Sequence, residues 1–345
     1  MEMKRNNLAA ILVAALMLSL AGGSALAASG AGAINLTFPI GARYNALGES
    51  GTALSQDVTS IWWNPGGLAF LPQRSKPNDL HIMQSSLAEG LADDIALYWG
   101  GYAMPMGRHG ALGFGLNYLD MGEQMGTDEN AQETGTFRSY MFAFSATYGV
   151  RINRTLGIGL GVKYFRDKLA PENSLQDAGG GGSGDSFGVD LGVLYKAPHL
   201  RSNFGLSLAN LGPDIKHVDA DQSDPMPRKA TLGWAFSAYQ SEYMGLLVVA
   251  DYLVPLYKWN DNDYGFGLEF DQTEYGIGVE WNYLRSLFVR LGYKSADYGE
   301  INDTTFGFGV DMNQWVGQAI TFDFASVPQA KGLPRVNRLS LGYRF

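Results

Sequence analysis

From residue 79 onward the chain repeats one pattern: a bulky apolar residue, then a small or polar one, over runs of about ten residues. Leu156, Ile158, Leu160, Val162 and Tyr164 alternate with Gly157, Gly159, Gly161 and Lys163. Phe187, Val189, Leu191, Val193 and Tyr195 alternate with Gly188, Asp190, Gly192 and Lys196. Tyr275, Ile277, Val279 and Trp281 alternate with Gly276, Gly278 and Glu280, and Ile320, Phe322 and Phe324 flank Thr321 and Asp323. A period of two places alternate side chains on opposite faces of a strand. The pattern predicts fourteen strands, at 79–86, 94–104, 111–120, 139–151, 155–165, 186–197, 202–210, 228–240, 244–254, 274–283, 285–294, 304–312, 318–326 and 336–345. A further run at 264–270 would break the phase of the connections and give an odd strand number, so it is assigned to a hairpin arm in the fifth outer loop.

Alternation alone does not distinguish water from lipid, but the polar half of the pattern does. Soluble sheets fill that half with Lys, Glu and Thr, whereas here it is mostly Gly with an occasional charge. Charged residues make up only 17% of the chain. Aromatic residues gather near strand ends (Tyr118, Tyr164, Tyr195, Trp281, Tyr293, Tyr343, Phe345), as the interfacial girdles of a membrane barrel require. The expected fold is therefore all-β: a fourteen-stranded antiparallel transmembrane barrel of the outer-membrane type. The connections are short and long in turn. The short ones carry Arg108, His109, Arg151, Arg154, His199 and Arg201. The long ones carry acids, among them Glu123, Asp128, Glu129 and Glu133, then Asp214, Asp219, Asp221 and Asp224. Short turns belong on the periplasmic side and long loops outside.

Composition changes this picture in three places. Cysteine is absent, so disulfides, thiolate nucleophiles and cysteine metal sites are excluded. Residues 1–28 read as an export signal: Lys4 and Arg5, an apolar run from Leu8 to Ala21, then Ala25-Leu26-Ala27. The formal charge of −9 becomes −10 once Glu2, Lys4 and Arg5 leave with that signal, and so acidic a chain argues against a nucleic-acid partner.

Residues 29–78 precede the first strand and contain Ile61-Trp62-Trp63-Asn64-Pro65-Gly66-Gly67-Leu68-Ala69-Phe70. Pro65, Gly66 and Gly67 require this apolar run to bend, and its tryptophans need cover. The segment is expected to fold into the lumen as a plug, because a fourteen-stranded barrel is too wide for its own side chains to fill and the inward glycines leave room. Trp62, Trp63, Leu68 and Phe70 would either seal the barrel or line an apolar passage. Lys163, Arg290, Lys294, Arg338 and Arg344 should face Asp190, Asp251, Glu280, Asp311 and Asp323 in the lumen, as a lattice gripping the plug or as a selective ion path.

Other motifs carry no chemistry. Gly179-Gly180-Gly181-Gly182-Ser183-Gly184 lacks the Lys-Ser/Thr and the helix of a phosphate cradle, and reads as a loop tip. Asp219, Asp221 and Asp224 lack the Gly and distal Glu of a calcium loop. His81, His109, His199 and His217 are scattered. No catalytic, metal or cofactor site is expected.

The start of the segment resembles the PorV/PorQ family, which is similar to FadL-type transporters. The resemblance rests on Gly41-Ala42-Arg43-Tyr44-Asn45-Ala46-Leu47-Gly48, Ala53, Asp57 and Trp63-Asn64-Pro65-Gly66-Gly67-Leu68. It continues through Gly101-Tyr102-Ala103-Met104-Pro105-Met106-Gly107 and Tyr118-Leu119-Asp120. Gly66 stands where the family usually has Ala, a change expected to loosen the turn. The resemblance implies a fourteen-stranded, FadL-like barrel with its N-terminal segment in the lumen. PorV-like members receive exported proteins in type IX secretion, and FadL-like members pass hydrophobic small molecules. Expected partners are outer-membrane lipid, exported proteins or secretion components, and, on the second reading, hydrophobic small molecules.

Overall fold

The computed structural model describes residues 32–71, 77–87, 92, 94–127, 132–169, 182–216, 223–256, 270–297 and 300–345. The export signal at 1–28, Gly179 to Gly181, Asp219, Asp221 and nearly all of the 264–270 run lie outside the described residues.

Fourteen long strands occupy the expected places: β1 (Asp79–Ser86), β2 (Ala96–Pro105), β3 (Ala111–Thr127), β4 (Glu133–Arg151), β5 (Leu156–Lys168), β6 (Ser183–Ala197) and β7 (Ser202–Leu211), then β8 (Lys229–Gln240), β9 (Met244–Pro255), β10 (Glu274–Tyr283), β11 (Leu287–Ala296), β12 (Ile301–Asp311), β13 (Ala319–Val327) and β14 (Val336–Arg344). Each pairs antiparallel with its neighbours in sequence. β1 pairs with β14, from Asp79 opposite Arg344 to Ser85 opposite Arg338, so the sheet closes. Closure leaves no open edge around the ring itself, which is what permits strands to stand in hydrocarbon.

The two faces differ as the alternation requires. Outward residues are apolar and exposed, with Phe187 at 62% and Leu291 at 60%, while Lys163, Asp190, Glu280 and Arg290 on the inward face are buried. Outward aromatics form rows near both rims. Tyr118 stacks on Tyr140 at 5.9 Å towards the long loops, and Tyr343 stacks on Phe345 at 5.3 Å towards the short turns.

One loop differs from its expectation. Residues 121–138 read as a loop, yet β3 and β4 are 17 and 19 residues long and stay paired as far as Thr127 opposite Glu133. A spanning strand needs about 9–11 residues, so this hairpin projects beyond the membrane band. The register slips between Asp120 and Glu123, where Gly122 takes a φ of 77°. A bulge of this kind bends the ladder without ending it, and no alternation in the sequence marks it.

Candidate functional site: the lumenal segment and the charges that hold it

Residues 32–71 contact strands on all sides of the ring. The helical turn α1 (Ala42–Asn45) packs on β12, β13 and β14. The turns α2 (Ser60–Trp63) and α3 (Pro65–Leu68) pack on the opposite wall, α3 against β3 to β6. The inward glycines permit this close approach. A Cβ at Gly159 would lie 2.2 Å from the Pro65 carbonyl, and one at Gly276 would lie 1.8 Å from the Gly48 carbonyl oxygen.

The bend falls one residue earlier than the sequence suggests. Asn64 alone is extended (φ −164°, ψ 104°), and helix resumes at Pro65, which occupies the first helical position where a missing N–H is harmless. Gly66 and Gly67 are not among the positive-φ residues; what they provide is closeness. A Cβ on Gly66 would lie 2.8 Å from the Leu194 nitrogen, and one on Gly67 would lie 2.1 Å from the Ser55 carbonyl oxygen. Gly66 therefore tightens the seat on β6 instead of loosening a turn. Asn64 is fully buried. Its Oδ1 accepts from the Gly66 N–H at 3.0 Å, and its Nδ2 donates to the carbonyls of Thr52 at 2.8 Å and Val193 at 3.0 Å.

The two tryptophans differ in their partners. Trp63 is core: its indole donates to the Ile40 carbonyl at 3.0 Å and its ring meets Tyr44 at 5.5 Å. Both rings border a cavity of about 90 Å³ at the long-loop mouth, lined also by Lys229, Asp251, Glu274 and Lys294. The ammonium groups of Lys229 and Lys163 lie 5.4 and 5.8 Å from the Trp62 ring centre. Leu68 is fully buried, and Phe70 lies at the short-turn end with the Lys196 ammonium 3.9 Å from its ring centre.

Three groups of wall residues hold the segment. Arg43 forms a two-pronged pair with Glu280, at 2.9 and 2.8 Å; Arg290 joins the same carboxylate at 2.7 Å and reaches Asp323 at 2.6 Å. Glu49 pairs with Lys294 and lies 3.5 Å from Arg338, which also donates to the Pro39 carbonyl at 2.9 Å. Asp251 accepts from the N–H groups of Gly51 and Thr52, both at 2.9 Å. Burial alone would push the Glu49 carboxyl up, but Lys294 and Arg338 outweigh it and hold it below the usual glutamate range. Burial likewise opposes the charge on Arg43, and Glu280 more than compensates, raising its guanidinium further.

Lys163 and Asp190 pair with each other at 2.9 Å within the wall, and Lys163 approaches the segment at the Trp62 ring. Asp311 and Arg344 line a cavity of about 360 Å³ at the short-turn end, and Asp311 accepts from the Asn313 N–H at 2.9 Å instead of joining the ion pairs. Several holding residues carry no signal in the alternation. Asp79 accepts from the Val58 N–H at 3.1 Å, Ser340 from Ala42 at 2.8 Å and Thr305 from Gly48 at 2.9 Å. Serine and threonine are ordinary on any inward face. Arg43 and Glu49 were the available clue, being charges in an otherwise apolar or glycine-rich stretch.

A closed fourteen-stranded ring with an apolar outer wall, aromatic rows and a segment drawn into its lumen is an outer-membrane β-barrel. Residues 31–257 match the family described as Type IX secretion system protein PorV, and the chain belongs to that family. No curated protein matches the chain. Among solved structures it is similar to the toluene transporter TbuX of Ralstonia pickettii, with a TM-score of 0.54 and 13% identity over 89% of this chain and 98% of that one. The toluene transporter TodX of Pseudomonas putida gives 0.52 and 14% over 89% and 98%, and a Pseudomonas aeruginosa FadL homologue gives 0.51 and 11% over 94% and 100%. At such identities the likeness is one of fold.

Proposed function

We propose that this barrel handles exported proteins for type IX secretion, receiving a client or a secretion partner on its long acidic loops at the cell surface. In this reading residues 1–28 are removed on export, residues 29–78 act as a plug, and residues 79–345 are the barrel that anchors it. The plug motif from Trp62 to Phe70 seals the lumen, and the lumenal charges grip it. The reading includes no catalysis and no cofactor. The observation that carries it is the Arg43–Glu280–Arg290–Asp323 chain of buried pairs, which ties the segment to three strands. A lumen closed in this way favours the loop surface, not the pore, as the place of work. Barrel affinity-purified from outer membranes should bring exported proteins or secretion components with it, and its deletion should remove secreted proteins from the cell surface. Unchanged secretion in the deletion strain would defeat the proposal.

A second reading, passage of hydrophobic small molecules, draws on the cavity beneath Trp62 and on the shared fold of the toluene transporters. The lining is mixed: Leu36, Trp62, Trp63 and Leu253 share a space of about 90 Å³ with Glu49, Lys229, Asp251, Glu274 and Lys294, so a guest seated there leaves part of its apolar surface against charges, which is unfavourable. Saturable binding of toluene or a fatty acid, abolished by Trp62→Ala, would reinstate it.

A further inference from the structure

The lipid-facing wall has a notch that the fold does not require. Outward positions in the band between the aromatic rows carry side chains, with Gly100 on β2 as the exception, midway between the outward Tyr98 and Tyr102. The barrel's inward glycines are imposed by contact: a Cβ at neighbouring Gly101 would lie 2.4 Å from the Trp99 ring, and one at Gly113 would lie 2.9 Å from Ile61. At Gly100 a Cβ would meet only Ile82 Cγ2, at 4.0 Å. A strand glycine weakens its strand and often marks a site where something approaches closely, and among the described residues nothing nearer than Ile82 approaches here.

The resulting groove has a volume of about 450 Å³, with Ile82, Leu116, Leu339 and Leu341 beside the Gly100 floor. At its long-loop end stand Gln84, Tyr98 and Tyr118. The register places Gln84 opposite Tyr98, and Tyr98 opposite Tyr118, across three adjacent strands. Gln84 is exposed on the outer face, and its side chain makes no hydrogen bond among the described residues. The groove is thus apolar at mid-depth and offers an amide and two hydroxyls at the level of the outer aromatic row.

We propose that the groove seats one acyl chain of an outer-leaflet membrane lipid, whose ester and headgroup oxygens meet Gln84, Tyr98 and Tyr118. Depth, width and polarity all favour this occupant. The groove opens only into the bilayer, it is one missing side chain across, and its polar end lies where lipid headgroups begin. A partner helix is about 10–12 Å wide, too broad for such a gap, and the closed ring offers no edge for an added strand.

The test is native mass spectrometry of the full barrel in mild detergent with lipid A added. Folding of each variant is verified by heat-modifiable gel mobility. Wild-type barrel should retain one lipid, and Gly100→Leu should lower the bound fraction at least fivefold. Ala230→Leu, an outward filling on the opposite wall at β8, should leave it unchanged. Gln84→Ala, which keeps the groove's shape, should lower it at least twofold and provides the reading if Gly100→Leu does not fold. Equal retention in wild type, Gly100→Leu and Gln84→Ala would overturn the proposal, as would an equal loss in Ala230→Leu. If Gly100→Leu keeps its lipid but loses a co-purified secretion protein, the notch belongs to that protein and the lipid assignment falls.

Discussion

At Glu49 one buried carboxylate neutralises two wall cations, Lys294 and Arg338. Removing one member of a buried pair costs about 3–5 kcal/mol because the remaining charges stay desolvated. Glu49→Gln should therefore lower stability by about 3 kcal/mol, seen as a lower urea midpoint for loss of the folded gel band. The pH dependence follows from the same contact. Because Glu49 titrates below its ordinary value in the folded protein, its contribution is complete above the unfolded pKa of about 4.3. It is lost as pH falls through the lower folded value. Acidification from pH 6 to below the lowered Glu49 range should expose residues 42–53 to protease in the wild type. In Glu49→Gln this part of the pH dependence should be missing, since the exposure already exists at pH 6.

At the scale of the element, the two short turns α2 and α3 are too brief to be stable alone, and the side chain of Asn64 joins them. Asn64→Ala removes a helix cap, worth about 1 kcal/mol, and two further hydrogen bonds to carbonyls on different parts of the structure. The expected cost is about 2 kcal/mol or more, read as faster hydrogen exchange over residues 60–71 with the barrel strands unchanged. Gly67→Ala acts differently. Its added methyl meets the Ser55 carbonyl oxygen at 2.1 Å, a backbone atom that cannot rotate aside, so about 1–3 kcal/mol of overpacking is expected. The same exchange measurement should show residues 51–55 loosening together with residues 60–71, which Asn64→Ala alone would not require.

Across the whole molecule the segment is held asymmetrically. Both halves pack closely on inward glycines, but among the described residues the ion pairs fall on the first half, at Arg43 and Glu49. Breaking the polar half should open a water path while the other half stays in place. In planar bilayers the double variant Arg43→Ala/Glu49→Ala should show ion-conducting events at a frequency well above wild type, whereas Lys163→Met, which lies in a wall-to-wall pair, should not. Equal conductance in all three proteins would mean that the ion pairs do not govern closure.

The sequence by itself determined the strand number, their places and the solvent on each face. These follow from a local rule: side chains alternate along a strand, so bulky and bare halves such as Leu156 to Tyr164 announce their surroundings without reference to the rest of the chain. Charges on the inward half of that pattern, from Lys163 to Arg338, were legible for the same reason. Only the tertiary structure decided which of them meet, that Glu280 is shared by Arg43 and Arg290 while Asp311 stays apart, and that Trp63 bonds Ile40 while Trp62 meets Lys163 and Lys229. Those outcomes depend on which residue of the lumenal segment lies opposite which strand. That alignment is set by contacts between residues far apart in the chain, for which no local periodicity exists.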